Sequence, residues 1–218
     1  KMVGIRVAAA LASVLLFSVM MTVNILNMES SLKASHEASA VLERAQRAEA
    51  AHYKWSSNLS NALYAGTDFT GSTDPTTCVL GQWLYGDAGT EDPQILSLRQ
   101  EMEPLHKELH ASATEALSMT TVQAQNYYQD TIQKNLTSLV GMLDQVIERS
   151  TVLNEASIKS TNTTIVIMHT TSIVGLSLAL ICLVSLVLYV LNHIVKPLLS
   201  ITEKAKPLQE GRLQLDLQ

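Results

Sequence analysis

Three histidines and one cysteine stand at spacings that suit a metal centre. His106 and His110 are four residues apart, so on a helix both imidazoles leave one face about a turn apart. That spacing fits two nitrogens on one ion, though alone it also fits a solvated face. His52 precedes Trp55 by three residues, again on one helical face. Cys78 follows Asp74-Pro75, at the expected fourth position of a short helix. A helix N-terminus there favours a thiolate; a lone cysteine also fits as a small buried apolar side chain. Gly81, one turn later, is expected to let a neighbouring helix approach. Trp83 is expected to roof the site, and Trp55 to help shield it. Three imidazoles and a thiolate from three helices suit tetrahedral zinc.

Such a site holds four protein ligands, whereas catalytic zinc keeps one position open for water. No flanking acid has a position that marks a general base, so the expected protein is not an enzyme. The motifs of phosphate-binding loops, dinucleotide folds and nucleophile elbows are absent. The net charge of −5 argues against a nucleic-acid partner. Of the other histidines, His36, His169 and His193 carry no expected chemistry, and Cys182 lies in an apolar stretch out of reach of Cys78.

The elements that must position these donors are helical. Of the 218 residues, 47% are apolar and only 16% charged, with 9 Gly and 5 Pro. The 22 residues between Arg6 and Glu29, and the 36 between Lys159 and Lys196, lack Asp, Glu, Lys and Arg. Each run exceeds the ~20 residues a helix needs to cross a bilayer. We expect a stub at 1–6, spans at 7–28 and 169–193, and an intervening domain at 29–168. Lys1, Arg6, Lys196, Lys204, Lys206 and Arg212 flank the spans, which places both termini inside and the domain outside.

Residues 29–65 lack Gly and Pro and continue the first span as one helix. Its expected inward stripe is Leu42, Ala45, Ala48, His52, Trp55, Leu59 and Ala62. Gly66 ends it. Short helix two is expected at 75–85, started by Asp74-Pro75, and helix three at 93–119, started by Asp92-Pro93 and kinked at Pro104. Helix four is expected to run unbroken from Thr121 into the second span, with a seam of Ile132, Leu136, Leu139, Leu143, Val146 and Leu153 interrupted by Ser150. The expected fold is all-α, an antiparallel four-helix bundle anchored by two membrane helices. Helices one and four outrun the shorter pair, so a second copy is expected to bury the surplus, with Leu139, Leu143 and Val146 facing across a homodimer.

His52-x-x-Trp55, Cys78-x-x-Gly81-x-Trp83 and His106-x-x-x-His110 together resemble the chemoreceptor zinc-binding domain, over about residues 45–115. The resemblance implies His52, Cys78, His106 and His110 as zinc ligands. Familiar members are mostly cytoplasmic, whereas the charged flanks place this segment outside. Ile194-Val-Lys196-Pro197-Leu-Leu and Glu210-Gly211-Arg-Leu213 resemble the start of a HAMP linker, which makes 194–218 a partial linker. Pro197 suits the break after the membrane helix, and Glu210-Gly211 the next turn.

Together these features resemble the sensory and membrane portion of a methyl-accepting chemotaxis protein of a bacterial inner membrane, with a periplasmic sensor domain. That resemblance implies a downstream histidine kinase and coupling protein as partners. It also implies a metal- or redox-linked change at the site, passed through helix four to HAMP. Two other readings stay open: a metal-free four-helix sensor of a small organic molecule, and the sensor half of a histidine kinase or diguanylate cyclase.

Overall fold

The computed structural model describes residues 2–209. They form six α-helices and two wider π turns, with no strand among the described residues. The chain divides into two compact units, one of Met28–Asn162 and one of Lys1–Asn27 with Thr163–Gln218.

In the unit Met28–Asn162, α1 (Met2–Ala65) stops at Gly66, whose φ of +69° favours glycine. Its buried stripe is Ala38, Val41, Ala45, Ala48, His52, Trp55, Ser56, Leu59 and Leu63. The expected stripe is right in the middle and one residue out at each end. Leu42 and Ala62 are only half-buried, because steps of four from Ala45 and Leu59 reach Val41 and Leu63 instead.

The short helix starts later than expected. Asp74 accepts the Thr76 backbone N–H at 2.8 Å and its hydroxyl at 2.7 Å, making a local turn. Helix α2 is only Val79–Tyr85, and its N-cap is Cys78. Helix α3 (Pro93–Ser118) begins as read, with the Asp92 carboxylate accepting the Ile95 N–H at 3.1 Å, and it continues through Pro104.

The fourth helix runs without a break from Thr121 into the second apolar stretch, as expected, but contains a π turn that was not expected. α4 (Thr121–Tyr127) passes through a π turn at Tyr128–Ile132 into α5 (Gln133–Val190). At that turn the Tyr128 hydroxyl meets Ser56 Oγ at 2.8 Å and donates to the Ser56 carbonyl at 3.1 Å. Gln133 Nε2 donates to the same Ser56 Oγ at 3.0 Å. Further along, Ser35 donates to Asn154 and Ser31 pairs with Ser160, so α1 and α5 run antiparallel.

The seam residues Ile132, Leu136, Leu139, Leu143 and Val146 share one core with Val41, Leu59, Ile95, Met102 and Leu109. The chain's own helices fill the seam, so Leu139, Leu143 and Val146 do not face a second copy.

In the other unit, the apolar stretches of α1 and α5 expose their side chains, and both helices are long and apolar enough to cross a membrane. Phe17 packs against Gly175, where a Cβ would lie 2.5 Å from the ring. A second π turn, Leu191–Val195, leads into α6 (Lys196–Gln209), with Pro197 at its second position. Glu210 and Gly211 lie outside the described residues.

Candidate metal centre

The fold brings all four expected donors together. His52 comes from α1, Cys78 from the cap of α2, and His106 and His110 from α3. One donor atom from each lies within 4.8 Å of all the others. The imidazole centroids are 4.6 Å apart for His106–His110, 5.1 Å for His52–His106 and 5.9 Å for His52–His110. Cys78 Sγ is 3.2 Å from His106 Nε2. The three imidazoles are buried and Cys78 is half-buried.

Backbone carbonyls set the ring orientations. His52 Nδ1 lies 2.7 Å from the Ala48 carbonyl, one turn back on α1. His110 Nδ1 lies 3.0 Å from the Ser72 carbonyl. Each Nδ1–H donates there, which turns the Nε2 lone pair inward. Neither Nε2 has a hydrogen-bond partner, and neither does His106 Nδ1. A buried polar nitrogen left unpaired costs about 1–3 kcal/mol. The inward nitrogens of His52 and His110, with the facing sulfur and His106 Nε2, fit a single cation. Tetrahedral zinc spaces such donors by about 3.5 Å; the sulfur and His106 Nε2 are 3.2 Å apart, and no two of the four donors are more than 4.8 Å apart.

Burial also sets the charge states. It lowers the pKa of His52, takes His106 down to about 3 and takes His110 down to about 4, so the rings stay neutral with lone pairs free. Burial pushes the Cys78 thiol up, and this outweighs the N–H groups of Gly81 and Leu80 that favour the thiolate. The helix N-terminus thus favours the thiolate, as expected, while burial opposes it more strongly. A seven-residue helix does not offset the desolvation; a bound cation would.

Both tryptophans expected to shield the site are buried. Trp55 packs on His110 with centroids 5.2 Å apart, and its Nε1 donates to the Ser72 carbonyl at 2.8 Å. The buried Trp83 donates to the Ala88 carbonyl at 2.9 Å and, like Trp55, belongs to the apolar core. At Gly81 the close neighbour is not another helix but the Pro75 carbonyl oxygen, only 1.8 Å from where a Cβ would stand.

Two contributors went unread in the sequence. Asn58 Oδ1 accepts the N–H groups of Thr70 and Gly71 at 2.9 and 3.1 Å, fixing the loop that carries Ser72. Arg99 grips the far end of α2. The only advance signal for either was a polar residue close to a stripe of apolar ones.

Residues 52–117 match the family model described as the chemoreceptor zinc-binding domain. The match begins at His52 and includes all four donors. This segment is therefore similar to a zinc-binding sensory domain. No curated protein and no solved structure matches the chain.

Proposed function

We propose that the chain is the sensory and membrane part of a bacterial chemoreceptor that binds one zinc ion through His52, Cys78, His106 and His110. The observation that carries this reading is the convergence of four N and S donors from three helices, with imidazole nitrogens buried and unpaired at their centre. Zinc held this way supplies a closed structural clamp and a metal-bound thiolate open to metal- or redox-linked change. Nothing in the donor set calls for catalysis.

The remaining parts of the proposal rest on the sequence. Basic flanks put the termini in the cytoplasm and the metal domain in the periplasm, with two helices in the inner membrane. A homodimer buries the apolar surface that the short helices leave uncovered. A change at the metal alters how α1 and α3 pack on α5. Packed helices move by steps of about 1–2 Å, and α5 passes such a step by way of Pro197 and the segment holding Glu210 and Gly211 to HAMP. In this reading HAMP passes the step on to a histidine kinase and its coupling protein.

Structural zinc sites contribute roughly 10 kcal/mol of apparent binding energy coupled to folding. Chelation of the purified chain is expected to lower its melting temperature, and Cys78→Ala and His106→Ala to reproduce the loss. Unchanged melting in all three cases would overturn the zinc reading.

A further inference from the structure

Helix α2 has seven residues. A helix of two turns does not hold its shape by itself. Its first end is closed by Cys78, whose Sγ accepts the Gly81 N–H at 3.3 Å. Its last end is closed by a different helix. Arg99 of α3 donates from Nε to the Trp83 carbonyl at 3.1 Å. From Nη2 it donates to the carbonyls of Trp83 at 2.9 Å, Leu84 at 2.8 Å and Gly86. Final-turn carbonyls have no partner inside a helix, and a cation there also meets the negative end of the helix dipole.

Arg99 precedes His106 by seven residues and His110 by eleven, two and three turns along one face of α3. The same helix face thus holds two imidazoles and the far end of the element that presents the sulfur.

The geometry points to Arg99 as the positioning residue for Cys78, so that α3 sets three of the four donors: His106 and His110 directly, and Cys78 through the guanidinium. This rests on reading the four side chains as one metal site. Without the grip, the carbonyls of Trp83, Leu84 and Gly86 lose their donor and α2 frays from its C-terminal end. The sulfur then loses its fixed place while the imidazoles keep theirs. Lysine is a poor substitute, because an ammonium does not reproduce a fork spanning three carbonyls.

The test uses the full chain in detergent with Co²⁺ as the probe. In the wild type, cobalt is expected to show both a thiolate charge-transfer band and ligand-field bands. R99M is expected to weaken Co²⁺ and Zn²⁺ binding about 10–100-fold, the usual cost of losing a group that orients a ligand. It should also dim the charge-transfer band while the ligand-field bands persist, with R99K in between. The double variant C78S/R99M is expected to bind no more weakly than C78S alone, since Arg99 acts through the sulfur.

Additive losses in the double variant, or a full thiolate band in R99M, would overturn the proposal and leave Arg99 as a fold residue only. Should R99M not fold, R99K carries the same cycle. A wild-type chain that takes up no cobalt overturns the metal reading itself, and this proposal with it.

Discussion

The sulfur of Cys78 lies 3.2 Å from Nε2 of His106, although the two residues are 28 positions apart. That contact joins an element of seven residues to one of 26, and it depends on how the chain turns before α2. Three side chains or backbone groups define that turn: the Asp74 carboxylate, the Pro75 carbonyl and Gly81.

Gly81→Ala is the sharpest probe of the turn. An added Cβ would meet the Pro75 carbonyl oxygen at 1.8 Å and the Thr76 Cα at 3.0 Å, both of them backbone. We expect at least the 1–3 kcal/mol typical of overpacking, and weaker metal binding, because the Gly81 N–H holds the Cys78 sulfur. Gly141→Ala is the control: nothing lies within 4 Å of its Cβ position in α5. It should gain about 0.5–1 kcal/mol from helix propensity. Urea unfolding and metal competition on both variants check the pair.

Asp92 gives a pH dependence with a definite sign. Arg149 donates to its carboxylate, Nη2 to Oδ2 at 2.7 Å, and together with the Ile95 N–H holds the carboxyl below its ordinary range. A lowered folded pKa means the unfolded chain binds the proton more readily. The pair's contribution is therefore full above the unfolded value near 4 and lost as pH falls through the folded one. Asp92→Asn keeps an N-cap but not the ion pair. We expect it to cost about 1 kcal/mol at pH 7, with the gap to the wild type closing below about pH 4. Unfolding of both chains over that range checks it, since acid release of metal affects the two alike. A gap that widens in acid would contradict the assignment.

How much of this was legible in the sequence follows from what each feature is made of. The donors declared themselves by type and spacing, and the starts of α3 and the ends of α1 by Asp-Pro and Gly. The Ser72 carbonyl that orients both Trp55 and His110 has no side-chain signature at all. Asp74-Pro75 looked like a helix start because its side chain can cap either a helix or a turn, and here the turn won. The π turn at Tyr128 answers to Ser56, 72 residues earlier. The pull of the helix terminus on the Cys78 thiol was legible, whereas the opposing effect of burial has no local motif to report it.

The proposed homodimer now has different expected contacts. Leu139, Leu143 and Val146 are fully buried inside one chain, whereas Leu32, Val152 and Ile158 are 51%, 51% and 46% exposed. Under mild oxidation in membranes, V152C or I158C is expected to crosslink two copies and L143C is not. Crosslinking from L143C alone would contradict a dimer made by this surface.

The proposed topology is checked by fusions to an enzyme active only outside the cytoplasm. Alkaline phosphatase joined after Gly89 should be active, and joined after Lys206 inactive. The reverse pattern would place the metal domain in the cytoplasm.

The central claim is the donor set, and X-ray absorption at the zinc edge on the purified full chain tests it most directly. The account predicts about one zinc per chain, with one sulfur at about 2.3 Å and three imidazole nitrogens at about 2.0–2.1 Å, and loss of the sulfur shell in Cys78→Ser. A chain that retains no zinc, or a zinc surrounded only by nitrogen and oxygen in the wild type, would contradict it.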